Sequence, residues 1–278
     1  MKLIDSPLGQ TGLLATSART LPPFHLVRAR SVEDVVAALA DAASPAILAG
    51  GTDLPARFNE GFEPSHLIDV SRLDALSKIT LQDNALHIGA LVTHAAGASD
   101  ALVQKHVPGF AAAWKRIANV RIRLRATLGG NLMARRARYE GAILLCALDA
   151  RLRFAGGGAP LEMKVTEFIN APPAPTPARF LTGIDIPLRP GLRLDYDRSL
   201  RPVMTQALAL ANDGYARVVL ATEYIQPQMM QLSAGVMAAA ETAHDALPEE
   251  LGDPVTSSAY LRHTGRVLLR RQLERMAA

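Results

Sequence analysis

The chain contains the stretch Ala46-Ile47-Leu48-Ala49-Gly50-Gly51-Thr52-Asp53-Leu54, in which a short apolar run ends in a glycine pair. The apolar part is bounded by Pro45 and by the glycines, which predicts a buried strand that runs directly into a turn. Glycine has no side chain, so the backbone amides of such a turn can approach an anion closely. Successive amides form a concave anion site, to which the Thr52 hydroxyl adds a donor. The stretch therefore predicts a strand followed by a phosphate-binding loop.

A second glycine pair lies in Arg125-Ala126-Thr127-Leu128-Gly129-Gly130-Asn131, before a predicted apolar helix. The pyrophosphate of a dinucleotide needs donors from more than one direction, and two such loops can supply them. Neither loop matches the Rossmann pattern G-x-G-x-x-G or the P-loop G-x-x-x-x-G-K-[ST], which argues against a nicotinamide or nucleotide triphosphatase site of those kinds. Taken alone, each pair is equally compatible with an ordinary turn.

The composition limits the chemistry that the chain can carry. It has 278 residues, 49% hydrophobic and 20% charged, which is typical of a globular protein with one large domain or two modest ones. Cys146 is the only cysteine, which excludes an intrachain disulfide, a thiolate-held iron–sulfur cluster and a zinc–cysteine site. Because Cys146 lies in an apolar run, we expect a buried, inert thiol. Any redox chemistry must therefore use a bound organic cofactor.

Neither a membrane nor a nucleic acid is predicted as a partner. No apolar run is long enough to cross a bilayer, and the sequence starts without a signal-peptide pattern, so we expect a cytoplasmic protein. The net charge is +4, with arginines concentrated at 121–138 and 262–275. Because aromatic residues that stack on bases do not accompany them, a pyrophosphate or an acidic partner subunit fits these clusters better than nucleic acid. His87, His94 and His106 lack metal-ligand spacing, so no metal site is predicted.

The pattern along the chain predicts an α+β protein. Ser31 is a good N-cap for a helix whose apolar residues recur at helical spacing. The same rules predict strands at 66–70, 85–90, 180–187 and 192–197, helices at 110–118 and from 132 to near 149, a hairpin of 207–210 with 216–224 around Asn212-Asp213-Gly214, and helices at 228–246 and 256–276.

A proline-rich segment divides the chain. Residues 171–177 contain four prolines, which predicts a stiff, extended linker. We therefore predict an N-terminal arm at 1–22, a first domain at 23–170, the linker at 171–177 and a C-terminal domain at 178–278.

Five motifs of the first domain occur in a characteristic order and spacing. They are Leu48–Leu54, Leu67-Ile68-Asp69-Val70-Ser71, Ile88-Gly89-Ala90-Leu91-Val92-Thr93-His94, Arg125–Leu132 and Leu148-Asp149-Ala150. In this order they resemble the FAD-binding domain of molybdenum hydroxylase flavoprotein subunits, the xanthine dehydrogenase family that includes the medium subunit of carbon monoxide dehydrogenase. Residues 180–187 and the helix containing Tyr260-Leu261-Arg262 resemble the small C-terminal domain of that family.

The resemblance implies a fold and a set of cofactor contacts. The fold is a two-lobed FAD-binding domain of the vanillyl-alcohol oxidase/p-cresol methylhydroxylase type, followed by a small α+β C-terminal domain with an antiparallel sheet and helices. Both glycine loops would hold the pyrophosphate of FAD, Thr93 would lie near the flavin, and Glu140 would contact the ribityl or ribose region. The cofactor-binding residues expected from the resemblance are Leu48, Ala49, Gly50, Gly51, Thr52, Asp53, Leu54, Thr93, Arg125, Ala126, Thr127, Gly129, Gly130, Asn131 and Glu140.

The resemblance also implies an electron-transfer subunit without a catalytic residue of its own. A large subunit would carry the molybdenum cofactor and a small subunit the [2Fe–2S] clusters, with electrons passing through FAD to an acceptor such as NAD, a quinone or oxygen. Tyr196, Tyr215 and Tyr224 are candidates to approach the flavin from the C-terminal domain. Two alternatives stay open, a scaffold subunit of the same fold without flavin and a stand-alone flavin oxidase.

Two departures from the family pattern concern the second loop. Leu124 stands where family members commonly have Asn, and Arg135-Arg136-Ala137-Arg138-Tyr139-Glu140 replaces a small, neutral Ala-Ser-Pro-Ala-Ala-Asp segment. The arginines of this segment either contact phosphate, form a docking surface for an iron–sulfur partner, or belong to a solvated loop. Arg121, Arg123 and Arg125 are candidates to lie near the isoalloxazine, where they would favour a reduced, anionic flavin.

Overall fold

The structure is a computed structural model that describes residue 21 and residues 23–158, 160–171, 179–199, 203–232 and 256–277. Within these residues three β-sheets and the helices around them form the fold, so the predicted α+β class is confirmed. The predicted N-terminal arm apart from Leu21, and most of the proline-rich linker, lie outside the described residues.

The N-terminal sheet is parallel and carries the first glycine loop at its edge. Its elements in chain order are β1 (His25–Arg28), α1 (Val32–Asp41), β2 (Pro45–Leu48), α2 (Leu54–Asn59) and β3 (His66–Asp69). The strand order is β1-β3-β2. Helix α1 begins as predicted, since Ser31 and Asp34 form a capping box. The predicted strand before the glycines is confirmed as β2, whereas β1 has too short an apolar run to be predicted.

The central sheet is antiparallel and has the order β4-β5-β8-β6-β7. Its strands are β4 (Ile79–Gln82), β5 (Ala85–Gly89), β6 (Arg151–Gly156), β7 (Leu161–Lys164) and β8 (Arg179–Pro187). Asp83 and Asn84 turn β4 into β5 with positive φ angles of 49° and 57°, the left-handed pair that a tight hairpin requires.

The place of β8 does not agree with the predicted division of the chain. This strand lies between β5 and β6, although its residues fall in the predicted C-terminal domain. Prolines report a local interruption of secondary structure, whereas strand pairing brings together residues far apart in sequence. We therefore propose that the boundary between the two units follows β8.

Seven short helices occur in the chain between strands of the central sheet. They are α3 (His94–Ser99), α4 (Ala101–His106), α5 (Pro108–Trp114), α6 (Val120–Arg123), α7 (Leu128–Met133), α8 (Glu140–Ala147) and α9 (Val165–Asn170). The helix predicted from 132 to near 149 is wrong in its first part, because Arg135 has a positive φ of 51° and separates α7 from α8. Trp114 and Cys146 are fully buried in the main core, and burial raises the pKa of the Cys146 thiol to about 12.

The C-terminal sheet is antiparallel, with the order β12-β11-β10-β9, and it packs against one long helix. Its elements are β9 (Arg193–Arg198), β10 (Met204–Leu210), β11 (Ala216–Thr222), β12 (Gln228–Gln231) and α10 (Ser258–Ala277). The hairpin β10–β11 and the helix α10 are confirmed. The start of the helix predicted at 228–246 is wrong, because 228–231 pair with β11; residues 233–246 lie outside the described residues.

Candidate functional site

A cleft of about 570 Å³ opens where the N-terminal sheet, the short helices and the C-terminal sheet meet. This volume lies within the range of roughly 300–1,000 Å³ that small-molecule and cofactor sites occupy. Of the predicted cofactor-binding residues, those that line the cleft are Ala49, Gly50, Gly51, Thr52, Asp53, Leu54, Ala126, Thr127, Gly129, Gly130, Asn131 and Glu140. The cleft therefore joins the two glycine loops, which are more than seventy residues apart in sequence.

The first glycine loop follows β2 and leads into α2. Gly51 has a φ of +65°, a conformation that residues with side chains rarely adopt. A Cβ atom at Gly50 would overlap the carbonyl oxygen of Arg125, so the two loops touch through their backbones. Gly50 is needed here because any side chain would separate the loops, and Gly51 is needed for its backbone conformation.

The second glycine loop forms the first turn of α7. The prediction of a glycine loop before a helix is therefore corrected, since Gly129 and Gly130 lie inside the helix. Thr127 is the N-cap residue, and its hydroxyl accepts a hydrogen bond from the amide of Gly130 at 3.0 Å. The amide of Gly129 donates to the carbonyl of Ala90 at 3.0 Å, and a Cβ at Gly129 would lie 2.6 Å from that oxygen.

Three predicted residues support the loops instead of lining the cleft. The Nε of Arg125 donates to the carbonyl of Gly50 at 3.3 Å, which ties the second loop to the first. Thr93 forms a backbone bridge with Thr127 and caps α3 through a hydrogen bond from Ala96 at 3.2 Å. Leu48 is the last residue of β2.

Asn131 and Glu140 hold the far end of the second loop. The Oδ1 of Asn131 accepts a hydrogen bond from the amide of Gly141 at 3.1 Å, which connects α7 to α8. The carboxylate of Glu140 accepts a hydrogen bond from the Tyr196 hydroxyl and lies 3.4 Å from a guanidinium nitrogen of Arg198. Burial, followed by the charge of Glu140, raises the pKa of Tyr196. Glu140 thus joins the cleft wall to the C-terminal sheet.

The basic segment Arg135–Tyr139 is not simply a solvated loop. Arg135 donates to the carbonyls of Ile169 and Ala171, and its guanidinium lies 4.8 Å from the ring centre of Phe168. Arg138 lines the cleft and lies 4.0 Å from Glu223 of the C-terminal unit.

Two further side chains of the segment contact the first glycine loop. Arg136 and Tyr139 both donate to the carboxylate of Asp53, each at 2.6 Å.

The three candidate tyrosines of the C-terminal unit are not among the residues that line the cleft. Tyr215 is buried and donates to the carbonyl of Ala147 at 2.7 Å, and the hydroxyl of Tyr196 donates to the carboxylate of Glu140. Tyr224 is 55% exposed. The C-terminal residues that line the cleft are Arg198, Thr205, Thr222 and Glu223, which no local pattern marks.

His94 is a cleft residue that the sequence does not single out as functional. Its side chain is fully buried, and its Nδ1 accepts a hydrogen bond from the Nε1 of Trp114 at 2.6 Å. The Nε2 has no partner among the residues that the structure describes. Burial, followed by the charge of Arg123, lowers the pKa of His94 to about 4. The ring is therefore neutral near pH 7, with its proton on Nε2, because the Trp114 N–H requires an acceptor at Nδ1.

The described parts of the chain contain neither a candidate metal site nor a helix that could span a membrane. In these parts, His, Cys, Asp and Glu residues nowhere form a group of three or more that could hold a metal ion. In the same residues, no helix combines the length and apolar character that crossing a bilayer requires.

Comparison with known proteins identifies relatives of this arrangement. The profile of the family described as "FAD binding domain in molybdopterin dehydrogenase" matches residues 22–189, which is 168 of the 278 residues. The match ends just after β8, in agreement with the sheet topology.

Curated relatives match less than half of the chain. The chain is 33% identical over 127 residues to the nicotinate dehydrogenase FAD-subunit of Eubacterium barkeri, covering 45% of this chain and 43% of that protein. It is 39% identical over 133 residues to the 6-hydroxypseudooxynicotine dehydrogenase complex subunit alpha of Paenarthrobacter nicotinovorans, covering 46% and 44%. The chain thus matches less than half the length of either relative.

Solved structures share the fold over nearly the whole chain. A chain of the reconstituted CO dehydrogenase from Oligotropha carboxidovorans superimposes with a TM-score of 0.82 at 23% identity, covering 92% of this chain and 98% of that one. A chain of quinoline 2-oxidoreductase from Pseudomonas putida 86 gives a TM-score of 0.81 at 24% identity over the same shares. These likenesses confirm the predicted two-part architecture.

Proposed function

Because the chain belongs to the family of FAD-binding domains of molybdopterin dehydrogenases, we propose that it binds FAD in this cleft as the flavin subunit of a molybdenum hydroxylase. The observation that carries the proposal is the backbone contact between two glycine loops from different parts of the chain. Small residues at the contact leave room for a ligand between the loops, and Thr52 lines the cleft beside them.

The residues that line the cleft suit the parts of FAD. The first loop and the turn of α7 would hold the pyrophosphate, with Gly50, Gly51, Gly129 and Gly130 allowing close approach. Glu140 also lines the cleft and would accept a hydrogen bond from a ribityl or ribose hydroxyl. FAD, when bound, supplies the electron-transfer chemistry, and the chain supplies binding, orientation and exclusion of water.

The proposed role is electron transfer within a larger assembly. The chain accepts electrons from the [2Fe–2S] clusters of a small partner subunit and delivers them to an acceptor such as NAD, a quinone or oxygen. A large partner subunit carries the molybdenum cofactor and the substrate site. This part of the proposal is supported by relatives that are named as an FAD-subunit of nicotinate dehydrogenase and as a subunit of a dehydrogenase complex.

The experiment that tests the proposal is an absorption spectrum of the purified chain before and after addition of FAD, with acid release and identification of any bound nucleotide. We expect two flavin bands and released FAD. The double variant Gly129→Val with Gly130→Val should lose the flavin because the new side chains fill the space beside Thr127 and Ala90. The control is Gly214→Asn, a glycine substitution in the β10–β11 turn, where a Cβ meets nothing within 4 Å.

Each alternative predicts a different result. A chain that takes up no FAD, whether alone or co-purified with partner subunits, would be a scaffold of the same fold. An isolated chain that oxidises a small substrate with oxygen would be a stand-alone flavin oxidase. A double variant that retains its flavin would show that the glycine turn of α7 is not the pyrophosphate site.

A further inference from the structure

The carboxylate of Asp53 lies in the part of the cleft wall that would hold the pyrophosphate under the proposed function. Asp53 belongs to the first glycine loop and lines the cleft. A phosphate group and a carboxylate repel each other, and the repulsion is strong where water is partly excluded. The side chain of Asp53 is only 18% exposed, so solvent screens its charge incompletely. A bare carboxylate here would oppose the binding of a pyrophosphate.

Two side chains of the basic segment meet this carboxylate. The Nε of Arg136 and the hydroxyl of Tyr139 both donate to Oδ1 of Asp53 at 2.6 Å. The distance from Tyr139 is typical of a charge-assisted O–H···O hydrogen bond, and that from Arg136 is slightly shorter than is usual for an N–H donor. The two donors lie 83 and 86 residues away in sequence, so the contact closes the basic segment onto the first glycine loop.

The other edge of Arg136 is held outside the cleft. Its two terminal nitrogens donate to the carboxylate oxygens of Glu60 at 3.0 and 2.9 Å. Glu60 is 54% exposed, so water screens its charge much more than that of Asp53. The bidentate contact fixes the guanidinium plane, and Nε is thereby directed at Asp53.

We propose that Arg136 and Tyr139 are positioning residues that neutralise Asp53 and fix its carboxylate, so that the first glycine loop can accept a pyrophosphate. The inference rests on the proposed function, binding of FAD in this cleft. It assigns the basic segment a role that differs from direct phosphate contact and from partner docking: Arg136 acts on the anion through Asp53. Burial, together with the hydrogen bond to Asp53, raises the pKa of Tyr139 to about 12, so its hydroxyl stays a donor at physiological pH.

A rival account makes opposite predictions. If Asp53 itself binds the cofactor through a hydroxyl group, Asp53→Asn should weaken FAD binding, and Arg136 would only support the fold. If Asp53 is a charge to be neutralised, Asp53→Asn should leave the affinity equal or improve it. The double variant then decides, because removing the carboxylate should make Arg136 dispensable.

The test measures the dissociation constant of FAD by titration of the full chain after removal of bound flavin. Arg136→Gln should weaken FAD binding roughly 10- to 100-fold, because one uncompensated charge then faces the pyrophosphate. Arg136→Gln with Asp53→Asn should return the affinity to within about threefold of the original. Riboflavin has no phosphate, so its affinity should be the same for the original chain, Arg136→Gln, Asp53→Asn and the double variant. A packing defect would instead weaken the binding of both riboflavin and FAD.

The matched control is Arg135→Gln. It removes the same charge one residue away, but Arg135 donates to the carbonyls of Ile169 and Ala171, whereas Arg136 donates to Asp53. We expect a lower melting temperature with FAD affinity within about threefold of the original. Equal losses for FAD and riboflavin in Arg136→Gln, or no rescue by Asp53→Asn, would overturn the positioning role alone. An original chain that binds no FAD would overturn the proposed function and this inference with it.

Discussion

The two glycine loops of the cleft are held in place by different means. The second loop is fixed mainly by its backbone and one cap: Thr127 caps the helix that contains the glycines, and the amide of Gly129 donates to the carbonyl of Ala90. The first loop depends on distant side chains, since Arg136 and Tyr139 reach Asp53 across more than eighty residues. A local cap such as that of Thr127 can be recognised from the sequence, whereas side-chain contacts between distant residues require the fold to be known.

The largest expected effect comes from separating the loops. Gly50→Ala places a methyl group against the carbonyl oxygen of Arg125. Neither group can rotate away, because the positions of both are fixed by the backbone. We expect a loss of more than about 3 kcal/mol in the free energy of unfolding, measured by urea denaturation. Gly130→Ala is the comparison in the other loop, where the new methyl would meet only the Thr127 hydroxyl at 2.9 Å. Equal losses in both variants would contradict the backbone contact between the loops.

The next largest effect is a dependence of the folding stability on pH, which arises at His94 beside the second loop. The backbone amide of His94 donates to the carbonyl of Ala126, and burial lowers the pKa of its ring from 6.5 to about 4. Between pH 4 and 6.5 the His94 ring therefore takes up a proton in the unfolded chain but stays largely neutral in the folded chain. Stability is full above pH 6.5 and falls by about 3 kcal/mol as the pH drops to 4.

This contribution can be separated from other titrating groups by one substitution. His94→Gln keeps an acceptor for the Trp114 N–H but cannot take up the proton. Its free energy of unfolding should vary less between pH 6.5 and 4 than that of the original chain, measured by urea titrations at several pH values. Identical pH profiles would show that His94 is not held neutral.

Local patterns of the sequence predict the parts of the fold that local bonds determine. The capping box at Ser31, the strand β2 before the glycines and the hairpin around Asn212-Asp213-Gly214 all agree with the structure. Each depends on residues within a few positions of one another. The resemblance adds the cleft, because four of its five motifs contribute residues to one cavity.

Long-range contacts account for what the sequence could not predict. The central strand β8 is separated from the rest of its sheet by a proline-rich segment, and β12 becomes a strand only because β11 offers an edge. The roles of Arg135 and Arg136 depend on partners in distant elements. Nothing in the sequence around His94 indicates that Trp114 fixes its tautomer.

A smaller effect tests the side-chain contact of the first loop alone. Tyr139→Phe removes one donor to the Asp53 carboxylate and leaves Arg136 in place. Hydrogen bonds to charged groups contribute more than neutral ones, so we expect a loss of about 1.5 kcal/mol in the free energy of unfolding. FAD binding should weaken less than in Arg136→Gln, because the charge of Asp53 remains paired. A loss of FAD affinity larger than that of Arg136→Gln would indicate that Tyr139 contacts the cofactor directly.

The smallest expected effect tests whether backbone bonds hold the second loop in place without its capping side chain. Thr127→Ala removes the hydroxyl that accepts the Gly130 amide, and loss of an N-cap costs about 1 kcal/mol. Thr127→Ser keeps the oxygen and should retain most of the stability, both measured by thermal unfolding. The backbone bonds of Gly129 to Ala90 and of Leu128 to Val92 remain in either variant, so α7 should still form. If Thr127→Ala instead destabilised the chain as much as Gly50→Ala does, the second loop would depend on a single side chain, and the contrast between the loops would fail.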